Sequence, residues 1–173
     1  MRSIKVFPGV SRSTWWIGVL LFGCVALPSA QAQYRGDEYY NKGVQLSEAG
    51  RHREAIPYYT KAIEMDARNA DAWGNRGWAW VELEEYGKAL SDLNQAIRVD
   101  PTLGHPYGNR GRVWLHTEDY DRAIADLDQA IRFEPHADWY YDRGIAWNKK
   151  KEYDKAIADY TQAIRLDPKD EDF

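Results

Sequence analysis

The sequence predicts an all-α fold, a right-handed α-solenoid of four antiparallel helix pairs. Three observations predict it. Gly43, Gly77, Gly111 and Gly144 recur at spacings of 34, 34 and 33 residues. Two alanine series keep the same spacing: Ala55, Ala89, Ala123 and Ala156, then Ala62, Ala96, Ala130 and Ala163. Within each unit the apolar residues gather on one face of two successive helices, with a period near 3.6 instead of the alternation of a strand. A single helix pair cannot bury both of its faces, so the units must stack.

The chain begins with an address label. Residues 1–36 contain no Asp or Glu, only Arg2, Lys5, Arg12 and Arg35, whereas the rest carries all 27 acids. Trp15 to Leu27 is an unbroken apolar run, ended by Pro28 and followed by Ala30-Gln31-Ala32. A basic segment, an apolar run and a small-x-small site are the marks of a secretory signal, here residues 1–32, with cleavage expected after Ala32. The run is too short for a stable span, since its helix rises about 20 Å against roughly 30 Å of hydrocarbon. Leu21-Phe22-Gly23-Cys24 offers a rival lipoprotein-type processing site at Cys24. Cleavage leaves a more acidic chain without cysteine, which fits export to the periplasm, with secretion as the alternative.

The repeats then follow in order. A lead-in at 33–35 precedes repeats at 36–69, 70–103, 104–136 and 137–170, and 171–173 form a tail. Number each repeat so that its glycine is position 8. On the first helix, positions 4, 7, 8 and 11 share one face, with Tyr39, Trp73, Tyr107 and Tyr140 at position 4 and Leu46, Trp80, Trp114 and Trp147 at position 11. On the second helix the two alanines flank Tyr59, Leu93, Leu127 or Tyr160, and Ile56, Leu90, Ile124 and Ile157 widen that stripe. Pro101, Pro135 and Pro168 stop the second helices, and Pro57 is expected near the first turn of its own.

This register resembles the tetratricopeptide repeat (TPR), whose signature runs W-x2-L-G-x2-Y, then A-x3-F, then Pro. The second repeat shows it as Trp73-x2-Arg76-Gly77-x2-Trp80, Ala89-x3-Leu93 and Pro101. It departs where the leucine before glycine becomes Lys42, Arg76, Arg110 and Arg143. Each arginine is followed 16 residues later by Asp92, Asp126 or Asp159, whereas the repeat with Lys42 has Tyr58 there. The paired change predicts a salt bridge between the two helices of repeats two to four.

The resemblance implies a concave groove lined by the first helices, where partners of such proteins bind. Opposite the packing face, position 6 reads Asn41, Asn75, Asn109 and Asp142, a ladder of groups able to bond an extended peptide backbone. Position 5 reads Tyr40, Gly74, Gly108 and Tyr141, and position 9 reads Val44, Trp78, Arg112 and Ile145. Trp78 beside Gly74 suggests an aromatic anchor with room next to it. Position 2 reads Asp37, Asp71, His105 and Asp138, an acidic wall suited to a segment with apolar anchors and some Lys or Arg. The candidate groove is thus Tyr40, Asn41, Asp71, Asn75, Trp78, His105, Asn109, Arg112, Tyr141 and Asp142. The carboxylate clamp of chaperone-tail binders is not expected, because its positions hold Tyr40, His105 and Asn109, or Gly74, Asp138 and Asp142.

Other functional classes find little in this sequence. With 23 cations against 27 acids, the net charge of −4 gives no basic face for nucleic acid. One cysteine permits no disulfide within the chain and no cysteine-rich zinc site. His105 and His116 are separated by about 16 Å of helix. No catalytic residue, metal site or cofactor is expected. The reading is a non-catalytic protein–protein interaction scaffold in the periplasm. The alternatives are self-association through the last helix, whose Ala156, Tyr160 and Ala163 have no following repeat to cover them, or a lipid-anchored assembly factor acylated at Cys24.

Overall fold

The structure, a computed structural model, describes residues 35–168. The leader, its cleavage site and Cys24 lie outside the described residues, as does the 171–173 tail. Eight helices and no strand occur among the described residues: α1 (35–48), α2 (His52–Met65), α3 (Ala70–Glu82), α4 (Tyr86–Val99), α5 (Gly104–His116), α6 (Tyr120–Phe133), α7 (Ala137–Lys149) and α8 (Tyr153–Leu166). None of them is long and apolar enough to cross a membrane.

Local chemistry sets the helix ends. Asn69 caps α3 by accepting from the Ala72 amide at 2.8 Å, and Asp119 caps α6 through the Arg122 amide at 3.1 Å. α4, α6 and α8 each end two residues before Pro101, Pro135 or Pro168, because a residue preceding proline is driven out of the helical region. Pro57 sits one turn deeper than expected, as the sixth residue of α2, on its exposed side. The turn inside every repeat passes through a left-handed residue: Gly50 (φ 70°), Glu84 (58°), Glu118 (61°) and Lys151 (64°). Only the first repeat places glycine there.

The core lies between the helices of each pair. Ala89, Leu93, Ala96, Ala123, Leu127 and Ala130 are fully buried, as are Ala55, Tyr59 and Ala62 in the first repeat. A Cβ at Gly77 would fall 2.7 Å from Leu93 Cγ, one at Gly111 2.8 Å from Leu127 Cγ, and one at Gly144 2.6 Å from the Tyr160 ring. Glycine at position 8 therefore lets the large second-helix residue seat itself. Successive pairs also pack, through groups such as Ala62 and Ile63 against Ala72 and Trp73.

The arginines at position 7 lock this arrangement. Arg76 donates from Nε and Nη2 to Asp92 at 2.7 and 2.8 Å, Arg110 to Asp126 at 2.7 and 2.7 Å, and Arg143 to Asp159 at 2.8 and 2.7 Å. All three aspartates are buried. The remaining Nη1 reaches back to the preceding repeat, to Thr60 (2.9 Å), Asn94 (2.5 Å) or Asp128 (2.6 Å). Each guanidinium also lies over the position-4 ring of its own helix, Trp73, Tyr107 or Tyr140. One side chain thus joins three helices, a connection between repeats beyond the expected bridge within each.

One expectation at the last helix needs correction. Ala156 and Ala163 are buried and Tyr160 is half-buried, because these residues turn inward onto α7, with Tyr160 over Gly144 and against Tyr141. The face of α8 that no other described helix covers carries Tyr153, Ile157 and Ile164 instead.

Candidate partner-binding groove

The packing fixes which helices line the inner curve. α5 touches both α3 and α7, whereas α4, α6 and α8 do not touch one another. A curved stack crowds its inner helices and spreads its outer ones, so the first helices line the concave side.

The expected groove residues fall into three groups on that side. At the N-terminal end Asn41 and Asp71 are exposed, and Tyr40 and Asn75 are half-buried and joined, the Asn75 amide donating to the Tyr40 hydroxyl at 3.0 Å. Burial, helped by Asp71, raises the Tyr40 phenol above its ordinary range. These four present a polar surface with an aromatic edge. Glu82, which sequence reasoning missed, extends the acidic row at the far end of α3, its carboxylate 3.7 Å from His52 Nε2.

The middle of the groove is occupied by the protein itself. The room foreseen beside Trp78 does not exist: a Cβ at Gly74 would meet His105 Nε2 at 2.7 Å, so the imidazole fills that space. His105 Nε2 is buried without a hydrogen-bond partner among the described residues, and its nearest carboxylate oxygen is Asp71 Oδ1 at 3.7 Å. Burial therefore lowers its pKa, against the opposing pull of Asp71 and Glu134. Gly108 is filled in the same manner by Trp139. Trp139 lies outside the expected groove residues; its position 3 reads Glu38, Ala72, Pro106 and Trp139, apolar in all but the first repeat.

Arg112 binds three repeats together here. Its guanidinium lies between Trp78 and Trp139, 5.1 and 5.2 Å from the ring centres, and donates to Asp142 at 2.6 Å and Asp138 at 3.0 Å. Burial alone would lower the Arg112 pKa, but Asp142 and Asp138 reverse this and raise it. Burial lifts the Asp142 carboxyl above its usual range, with Arg112 opposing. Trp78 is consequently half-buried and covered on one face, not a free anchor. Asn109 and Asp142 are buried, so the expected ladder is open only at Asn41 and Asn75. Tyr141, half-buried, lies apart from that end in the last repeat, its ring tilted against that of Tyr160.

Stacked helix pairs with this inner face define a helical-repeat module. Tetratricopeptide-repeat models match residues 40–103 and 137–170, together more than half of the chain, and the chain belongs to that family. The intervening 104–136 carry α5 and α6 in the same register. An uncharacterized protein of Methanocaldococcus jannaschii is 38% identical over 42 residues, 24% of this chain and 49% of that relative, so the match spans about half of the relative's length. Among solved structures, MamA of Desulfovibrio magneticus RS-1 is similar at a TM-score of 0.66 and 22% identity, covering 79% of this chain and 77% of that one. PilF of Pseudomonas aeruginosa gives 0.72 at 20% identity, covering 83% and 64%. The first TPR of Spaghetti (RPAP3), bound to the HSP90 peptide SRMEEVD, gives 0.59 at 25% identity, covering 73% and 95%.

Proposed function

We propose that this chain is a non-catalytic scaffold, exported to the periplasm, that holds an extended and partly basic segment of a protein partner along the inner face of α1 and α3. One observation carries the reading: Asp37, Asn41, Asp71 and Glu82 stand exposed there. Lys42 shares the cleft of Asp37 and Asn41, but Arg76 and Arg112 do not offset Asp71 and Glu82, because Arg76 turns to Asp92 and Arg112 to Asp138 and Asp142. Such a wall attracts Lys and Arg, and the half-buried Tyr40 offers apolar surface beside it. The peptide bound by the RPAP3 repeat is acidic, and the same wall disfavours a ligand of that kind. Members of the repeat family work by binding, which supports the absence of catalysis. Export rests on the basic, apolar and small-residue pattern of the first 32 residues.

Affinity capture from an envelope extract tests the partner reading, comparing the wild-type chain with Asp71→Lys/Glu82→Lys. Both residues are exposed helix-surface positions, so the variant keeps its helical spectrum and loses the captured protein. Equal recovery by the two refutes the acidic-wall reading. The mature N-terminus, determined by mass spectrometry, is expected at Gln33; an acylated Cys24 replaces that reading with a membrane anchor.

A further inference from the structure

The outer face of α8 is apolar where neighbouring repeats would lead one to expect cover. Tyr153, Ile157 and Ile164 are 56%, 63% and 47% exposed, whereas Ile124 and Ile63, at the positions of Ile157 and Ile164 in earlier repeats, are each 7% exposed. The opposite end of the solenoid is adapted to water. Glu38 stands where Ala72, Pro106 and Trp139 are buried in later repeats, and Asp37, Asn41, Lys42 and Gln45 line the cleft there. Head-to-tail stacking would bury Glu38 and Lys42 under α8, at the cost of desolvating both.

We infer that α8 pairs with α8 of a second copy of this chain, antiparallel about a two-fold axis. The charge pattern selects this partner. At 100° per residue, Tyr153, Ile164 and Ile157 form one stripe, and Asp154 and Arg165 lie together along one flank of it. No ion pair to a described residue occupies either Asp154 or Arg165. With Ile157 of one helix against Ile164 of the other, Asp167 of the second copy lies level with Asp154 along the axis but on the other flank of the stripe. Arg165 of that copy is two residues away, about 3 Å along the axis and within reach of its long side chain. The two-fold axis makes this contact twice, and the same patch serves both copies. The pairing leaves both concave faces free, because the groove lies on the first helices.

Sedimentation velocity on the chain, purified as its host cell processes it, is expected to show a concentration-dependent dimer in the micromolar range. Ile157→Glu abolishes it without changing the circular dichroism spectrum, since Ile157 is mostly solvated already. Asp154→Arg and Arg165→Asp each turn two attractions into two repulsions and weaken dimerisation about tenfold. Mixing these two variants restores it, because every flank contact is again between opposite charges. A wild-type chain that stays monomeric overturns the inference and leaves the face to residues 169–173 or to a different protein. A dimer indifferent to Ile157→Glu, or one in which mixing restores nothing, overturns it as well.

Discussion

Arg110→Ala removes the central member of the arginine series and gives the most informative stability test. The substitution deletes two hydrogen bonds to Asp126 at 2.7 Å each, one to Asn94 at 2.5 Å, and the stacking on Tyr107. It leaves the carboxylate of Asp126, a residue only 7% exposed, with the Trp114 indole as its remaining donor, at 2.9 Å. Removing one partner of a buried pair costs about 3–5 kcal/mol, and the surviving indole bond places this case at about 3. Replacing both partners, Arg110→Leu/Asp126→Leu, removes the stranded charge and is expected to cost less than about 1.5 kcal/mol. Lys42→Ala serves as the internal control, since Lys42 faces Tyr58 where the other repeats have an aspartate. It should fall within about 0.5 kcal/mol of wild type. Urea unfolding followed by circular dichroism reads all three, with the slope compared between variants because repeat arrays can lose two-state behaviour. An Arg110→Ala cost below about 1 kcal/mol, the range of a solvated surface pair, refutes the reasoning.

Three further outcomes follow from single residues. Gly111→Ala pushes a methyl group to 2.8 Å from Leu127 Cγ and should cost about 1–3 kcal/mol in the same urea assay. Glu118→Gly relieves a left-handed glutamate and should raise stability by about 0.5–1 kcal/mol, the relief exceeding glycine's extra chain entropy. His105 has a lowered pKa because the fold holds it buried and neutral, so the unfolded chain takes up the proton first. Stability is therefore complete above the ordinary imidazole value of 6.5 and declines as pH falls from there towards the folded value. Thermal melts at pH 7.5 and 5.5, buffer settings of roughly one unit either side of a free imidazole, should differ less in His105→Gln than in wild type.

Much of the scaffold is legible in the sequence because the repeats act as controls for one another. Lys42 and Tyr58 differ together from the Arg and Asp of the other three repeats, and that joint change points to the bridge. The link back to Thr60, Asn94 or Asp128 is not visible this way, since those residues share no single chemistry. The left-handed turn has a sequence signal only at Gly50, since Glu84, Glu118 and Lys151 hold the equivalent sites. The groove is less legible, for a physical reason. A helical wheel shows which way Gly74 and Gly108 face, but not that the next repeat lays His105 and Trp139 over them. The wheel puts both Trp78 and Arg112 on the inner face, yet their stacking depends on the distance between repeats, which no single-helix pattern contains.

The proposal that the inner curve grips a partner is tested most directly by site-specific photo-crosslinking in the host envelope. The reactive side chain is placed at Asp71 on α3 or at Ser91 on α4, both exposed. An adduct with a second protein from position 71, absent from position 91, is the predicted result. Adducts from position 91 alone would contradict it and move the binding surface to the outer helices.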